Sequence, residues 1–169
     1  MIGRLWYPQL DIYDAIRRMA GLLTLWSPVK PPSQERLFIA DFYLANPPLL
    51  HNTHMPSEVR RHFRDLKVPR PGQEFVSYPS APILFQKMDE VQRQAFRTLS
   101  GKGLIDLDQL EQGTVRPSAG GAELFESKFL SLFSESEHQL ASFLVSEFAP
   151  TDREIAAVRR STGLRRLVR

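Results

Sequence analysis

In the segment "LDIYDAIRRMAGLLTLW" the apolar residues Ile12, Ile16, Met19, Leu23 and Trp26 recur at steps of four, three, four and three. That spacing predicts one face of an amphipathic helix, with Arg17 and Arg18 off it. Ser27-Pro28 and Pro31-Pro32 end the pattern. Ser33 then caps a second helix, "QERLFIADFYLANP", which Asn46-Pro47-Pro48 stops. This helix is apolar on most sides, through Leu37, Phe38, Ile39, Phe42, Tyr43 and Leu44, so it is expected to be the buried central one. Ser57 opens a short third helix, "EVRRHFRDL". The proline-rich "KVPRPGQEFVSYPSAP" that follows is long for a connection in a compact domain, a length associated with functional or partner-bound loops.

A fourth helix is predicted from about Pro82 to Ser100, with Leu84, Met88, Val91, Ala95 and Leu99 on one face. Gln92, Arg93, Gln94 and Arg97 lie off that face. Gly101 and Gly103 supply the stop. "LIDLD" and "TVRP" are expected to pair as two short antiparallel strands across "QLEQG", and Ser118 caps the next helix. Capping-box spacings at Ser134/Glu137 and Thr151/Glu154 predict helices at about 135–149 and 152–161, with Gly163 ending the last. No repeat or low-complexity segment interrupts the chain.

Helix, glycine corner, hairpin and capped helix is the order in which a winged helix-turn-helix domain ends. The phrase Leu99-Ser-Gly-Lys102-Gly103-Leu104-Ile105 resembles the exit of a recognition helix in such domains. Ser118-Ala-Gly-Gly121-Ala-Glu-Leu124 is similar to their exit from the wing. The expected fold is therefore mainly α with a small β-hairpin: a winged-helix-like domain over 1–133, then a C-terminal helical extension with a basic tail over 134–169. Fold alone carries no function. A DNA reader needs arginine, lysine, asparagine or glutamine aimed from the recognition helix into a major groove. Gln92, Arg93, Gln94 and Arg97 meet that description, and they fit an ordinary solvated face as well.

Charge sharpens the picture. The net formal charge is +3 and the isoelectric point about 9.4. Residues 58–70 hold five basic and two acidic side chains, and 153–169 hold six arginines and one glutamate, whereas 106–137 hold two basic and seven acidic ones. A wing that grips phosphates should be basic, yet Asp106, Asp108 and Glu111 sit in this one, with Arg116 as the exception. The wing is thus expected to turn toward protein rather than DNA.

Composition removes several classes. There is no cysteine, which excludes disulfides, thiolate metal sites and a catalytic cysteine. No run approaches the ~18 apolar residues of a membrane span, and "MIGRLWYPQLDIYD" lacks the regions of a signal peptide. An intracellular, cytoplasmic location is expected, with no membrane contact. No Gly-x-Ser-x-Gly elbow and no phosphate-binding Gly-x-x-x-x-Gly-Lys-[Ser/Thr] loop occurs, so neither hydrolase nor ATPase chemistry has a motif, and no cofactor or metal is expected. His51 and His54, with Glu58 near, have a spacing that can hold a metal. Their proline-bounded loop fits solvated or hydrogen-bonding histidines better, as does His62.

Three phrases carry a family likeness: "RLWYPQLDIYDAIRRMAGLLTLW", "RLFIADFYLANPPLL" and "PSAPILFQKMDEVQRQAFRTLSGKGLID". Over residues 4–108 the chain resembles the small middle components of bacterial ABC-three-component defence systems, of which Lamassu is one. The resemblance implies a non-catalytic accessory subunit that works with an SMC- or Rad50-like ATPase and an effector, often a nuclease. Winged-helix subunits of SMC complexes are a fold-level parallel.

The remaining candidate contacts are basic. Arg60, Arg61, Arg64, Lys67 and Arg70 cluster in "EVRRHFRDLKVPR". There Arg60, Arg64 and Lys67 follow i, i+4, i+7 on one face, with Val59, Phe63 and Leu66 opposite. Arg159, Arg160, Arg165, Arg166 and Arg169 alternate with Leu164, Leu167 and Val168 in the tail. Both groups suit the phosphates of double-stranded DNA or an acidic protein surface, and a disordered tail is the plain alternative for the second. Trp6 and Tyr7 precede the first helix as core staples or partner contacts. A stand-alone DNA-binding regulator is the competing function.

Overall fold

The computed structural model describes residues 7–72 and 80–165. Helix α1 (Ile12–Leu25) starts where the Asp11 carboxylate accepts the Asp14 N–H at 3.0 Å, and it ends ahead of Ser27-Pro28. Burial on α1 is wider than one sequence face. Ala15 and every residue from Arg18 to Leu23 are buried, while Ile12 and Ile16 are only half-covered. The reason is enclosure: the helices Gln34–Ala45, Asp89–Gly101 and Glu135–Phe143 and the turns over 125–132 all pack around α1. Gly21 belongs to this tight surround, because a Cβ there would stand 2.1 Å from the Phe133 ring.

Helix α2 (Gln34–Ala45) is capped by Ser33 as expected, and each of its residues from Arg36 to Leu44 is buried. Phe38, Phe42 and Tyr43 meet Phe96, Phe85 and Phe148 edge-on, the favoured geometry for aromatic pairs. After a 3₁₀ turn (Pro47–Asn52), α3 (Ser57–Asp65) lies on the body through Phe63, whose ring packs against His51 and Phe143. The predicted fourth helix bends at Met88 into α4 (Ala81–Lys87) and α5 (Asp89–Gly101).

The expected two-stranded wing is not built. Ile105 and Pro117 make a single antiparallel bridge, and the residues between them coil into the short helix α6 (Leu107–Glu111). The cause is local. The Asp106 carboxylate accepts the N–H groups of Asp108 (3.0 Å) and Gln109 (3.2 Å), a cap that starts a helical turn where a strand was expected. Its other oxygen takes Arg116 at 2.8 Å, which closes the loop. Val115 N–H then donates to Pro32 carbonyl at 2.7 Å and fastens the loop to the turn after α1. No extended strand occurs among the described residues, so the fold is mainly α.

Ser118 caps α7 (Ala119–Leu124) and also donates to the Gly103 carbonyl. Gly121 permits that crossing, since a Cβ would sit 2.1 Å from the Leu104 carbonyl oxygen. Wide π-helical turns follow α7 (Phe125–Phe129) and α8 (Glu135–Phe143, then Leu144–Phe148). The Ser134/Glu137 capping box forms. The one expected at Thr151/Glu154 does not. Thr151 instead donates to the Lys30 carbonyl and accepts from the Trp26 indole, and α9 (Ile155–Thr162) begins without a side-chain cap. Gly163 ends α9 at φ +72°. One hydrophobic cluster runs through all of this, from Ala15 to Leu164.

A polar network lies inside it. Arg18, expected off the buried face, is 1% exposed. Its Nε donates to Asp41 at 2.7 Å and its Nη1 to Asp14 at 2.5 Å. The Gln92 amide adds bonds to Asp41 and to the Phe38 carbonyl, both at 2.9 Å. Burial alone would pull the Arg18 guanidinium down. Asp41 and then Asp14 outweigh it and hold the group above its ordinary range.

Candidate functional site

The network settles the position of one predicted DNA contact. Gln92 is fully buried and spans α5 to α2, so it faces the core and no groove. Arg93 is half-buried and pairs with Asp89 one turn earlier at 2.8 Å. Gln94 and Arg97 are exposed. In the acidic turn that follows α5, Arg116 is held by Asp106. The Arg116 hydrogen bond, then the Gln109 N–H, keep the Asp106 carboxyl below the ordinary range.

Beyond the C-terminal end of α5 lies an apolar groove of about 640 Å³ between α1 and residues 124–132. Ile16, Leu104, Leu124 and Phe129 line it, with Tyr13 and Leu132 on its walls. Tyr13 is 84% exposed and Leu132 58%. Thr98, Lys102, Asp11 and the Asp14–Arg17 pair are its polar lining among the described residues. Large apolar side chains left in water beside an open groove mark a contact surface. Sequence periodicity could not show it, because three separate segments supply the walls.

The three histidines of "HNTHMPSEVRRH" go separate ways. His51 Nε2 donates to the Val68 carbonyl at 2.7 Å, which fixes that nitrogen as the protonated one, and its ring packs on Phe63. His62 Nδ1 donates to Glu147 and ties α3 to the turn after α8. His54 is exposed. No group of three metal-ligating side chains forms among the described residues.

The basic residues divide similarly. Arg60 turns back to donate to the Thr53 carbonyl at 2.5 Å, while Arg61 and Arg64 are exposed. Lys67 does not continue their face. It lies past the end of α3 with φ +54°, where the chain leaves in the left-handed conformation. Arg70 is exposed and has an interaction within the chain. On α9, Arg159 makes a two-pronged pair with Glu35; that hydrogen bond above all holds its guanidinium up. Arg160 and Arg165 are exposed. Arg166, Arg169 and Trp6 lie outside the described residues, as do residues 73–79 of the proline-rich connection. Tyr7 is exposed.

No helix among the described residues is long and apolar enough to cross a membrane. A family model for the ABC-three component (ABC-3C) system Middle Component 5 matches residues 4–156. No curated protein and no solved structure matches the chain.

Proposed function

The chain belongs to the Middle Component 5 family of ABC-three-component anti-phage systems, and from that premise we propose that it is a non-catalytic adaptor in the cytoplasm. It docks onto an SMC- or Rad50-like ATPase subunit and links it to an effector such as a nuclease. The observation that carries this reading is the apolar groove between α1, α5 and residues 124–132, with Tyr13 and Leu132 standing in solvent at its walls. An adaptor needs such a surface, because burying apolar area against a partner supplies the non-directional part of binding. The acidic loop after α5 belongs with it, as a wing-like corner that repels phosphates and suits a protein neighbour.

The test is capture of the neighbouring ATPase subunit by tagged protein at native level. Wild type retains it, and Tyr13→Asp with Leu132→Asp loses it while melting at the same temperature. Absence of ATPase from the wild-type eluate sinks the adaptor reading, and undiminished capture by the double variant moves the interface elsewhere. The regulator reading has less to stand on, with Gln92 in the core and Arg93 paired to Asp89.

A further inference from the structure

The residues just before the first basic stretch meet the second in space. The His54 N–H donates to the Ser161 carbonyl at 3.0 Å, which joins the segment before α3 to the end of α9. Between them opens a shallow pocket of about 380 Å³ lined by His54, Met55, Pro56, Arg153, Ala157, Arg160 and Ser161. No carboxylate among the described residues lines it.

Buried Arg36 does not line the pocket but holds the turn that carries Arg153. Its guanidinium donates to the carbonyls of Ala149 (3.2 Å), Pro150 (2.8 Å) and Arg153 (2.5 Å), so the turn into α9 is braced from below. Arg153 Nη1 donates to the Phe148 carbonyl at 2.7 Å. Its charge stands close enough to Arg160 that, after burial, Arg160 is what holds its guanidinium below the ordinary range. Arg36 is lowered in turn, by burial and then by Arg153. Three guanidiniums thus crowd one small region. Arg159 and Glu35 neutralise each other nearby, and Arg160 has no ion pair among the described residues. An anion placed between Arg153 and Arg160 removes the repulsion and gains charge-assisted hydrogen bonds.

We propose that the His54–Arg153–Arg160 pocket seats a backbone phosphate of duplex DNA. A polyanion fits better than a single small anion, because cations continue away from the pocket. Arg60 bonds to Thr53, the residue before His54, and Arg64 lies one turn further on that side of α3. Among the described residues the lining carries no phenylalanine, tyrosine or tryptophan face on which a nucleotide base would stack. Contacts of this kind position a duplex without reading its bases. The site needs no ATPase partner, so it stands or falls apart from the adaptor reading.

Fluorescence anisotropy with a labelled duplex, titrated at several salt concentrations, tests it. Arg160→Gln is the first variant, since Arg160 is exposed and has no ion pair among the described residues. It should weaken binding about tenfold for any duplex sequence and lower the salt slope by about one. His54→Gln should weaken binding less, and Arg97→Gln on α5 should bind as wild type does. The proposal is overturned if wild type fails to bind duplex, or if Arg160→Gln leaves affinity and slope unchanged. It is equally overturned if polyglutamate displaces the duplex and responds more strongly to Arg160→Gln, which would assign the pocket to an acidic protein segment. ATPase capture by Arg160→Gln, expected to be normal, separates this result from any failure of the adaptor.

Discussion

Arg18 on α1 and Asp41 on α2 form an ion pair, Nε to Oδ1 2.7 Å, from which water is excluded, the two side chains being 1% and 0% exposed. With Gln92 on α5 as a third member, the pair fixes the registry of three helices. Removing one charge strands the other. Arg18→Ala is expected to destabilise the fold by about 3–5 kcal/mol, whereas Arg18→Met with Asp41→Leu should recover most of that loss. Denaturant unfolding of the two single variants and the pair decides it. Additive losses would show that the two charges do not depend on each other.

Gly121 and Gly21 are both too crowded for a side chain, but against different neighbours. At Gly121 the obstacle is the Leu104 backbone carbonyl, which cannot move without opening the bridge at Ile105 and Pro117. At Gly21 it is the Phe133 ring, on a half-covered side chain that can rotate. Gly121→Ala should therefore cost about 3 kcal/mol, and Gly21→Ala about 1 kcal/mol or less, the ring's displacement being partly offset by better helix propensity. Thermal melts of the two variants compare them directly.

Tyr43 is buried among Phe42 and Phe148, and its hydroxyl has no hydrogen-bond partner among the described residues. Burial pushes that hydroxyl up, away from ionisation. Tyr43→Phe keeps the ring contacts and removes an unpaired polar atom. Stability should rise by about 1 kcal/mol or stay level. A loss of stability would mean that the oxygen is bonded in solution.

Asp106 should make the 104–118 loop sensitive to acid. A carboxyl held down in the folded state by Arg116 stabilises the fold fully above its unfolded pKa, and that contribution disappears as pH falls through the lower folded value. The amides of Asp108 and Gln109, which donate to this carboxylate, should stay protected from exchange at neutral pH and lose protection in acid. Arg116→Gln should move that loss to higher pH, because the largest cause of the depression is gone. Hydrogen exchange followed by NMR across the acid range reads both.

Helix starts and stops were legible because they are local. Ser33, Ser118 and the Ser134/Glu137 box each satisfy a free N–H within three residues, and Gly103 and Gly163 take a backbone conformation that suits glycine. The family likeness was legible too, and the family match extends it from residues 4–108 to 4–156. The hairpin was misread at Asp106, where a side-chain cap outcompeted strand pairing. Arg18 and Gln92 were misread as outward-facing, because periodicity ranks residues by polarity and cannot see a partner on another helix. Thr151 had the spacing of a cap, but Lys30 and Trp26 reached it first.

What the sequence by itself determined was the helices other than α6 and the break at Met88, the caps at Ser33, Ser118 and Ser134, an almost wholly apolar α2 and two separated basic stretches, all read from residues a few positions apart. Only the tertiary structure decided which charges face inward, that His54 lines one pocket with Arg153 and Arg160, and that Tyr13, Leu104 and Leu132 share one groove. Those arrangements depend on contacts between residues far apart in the chain. A partner such as Asp41 for Arg18 reverses the preference a charged side chain has when considered alone.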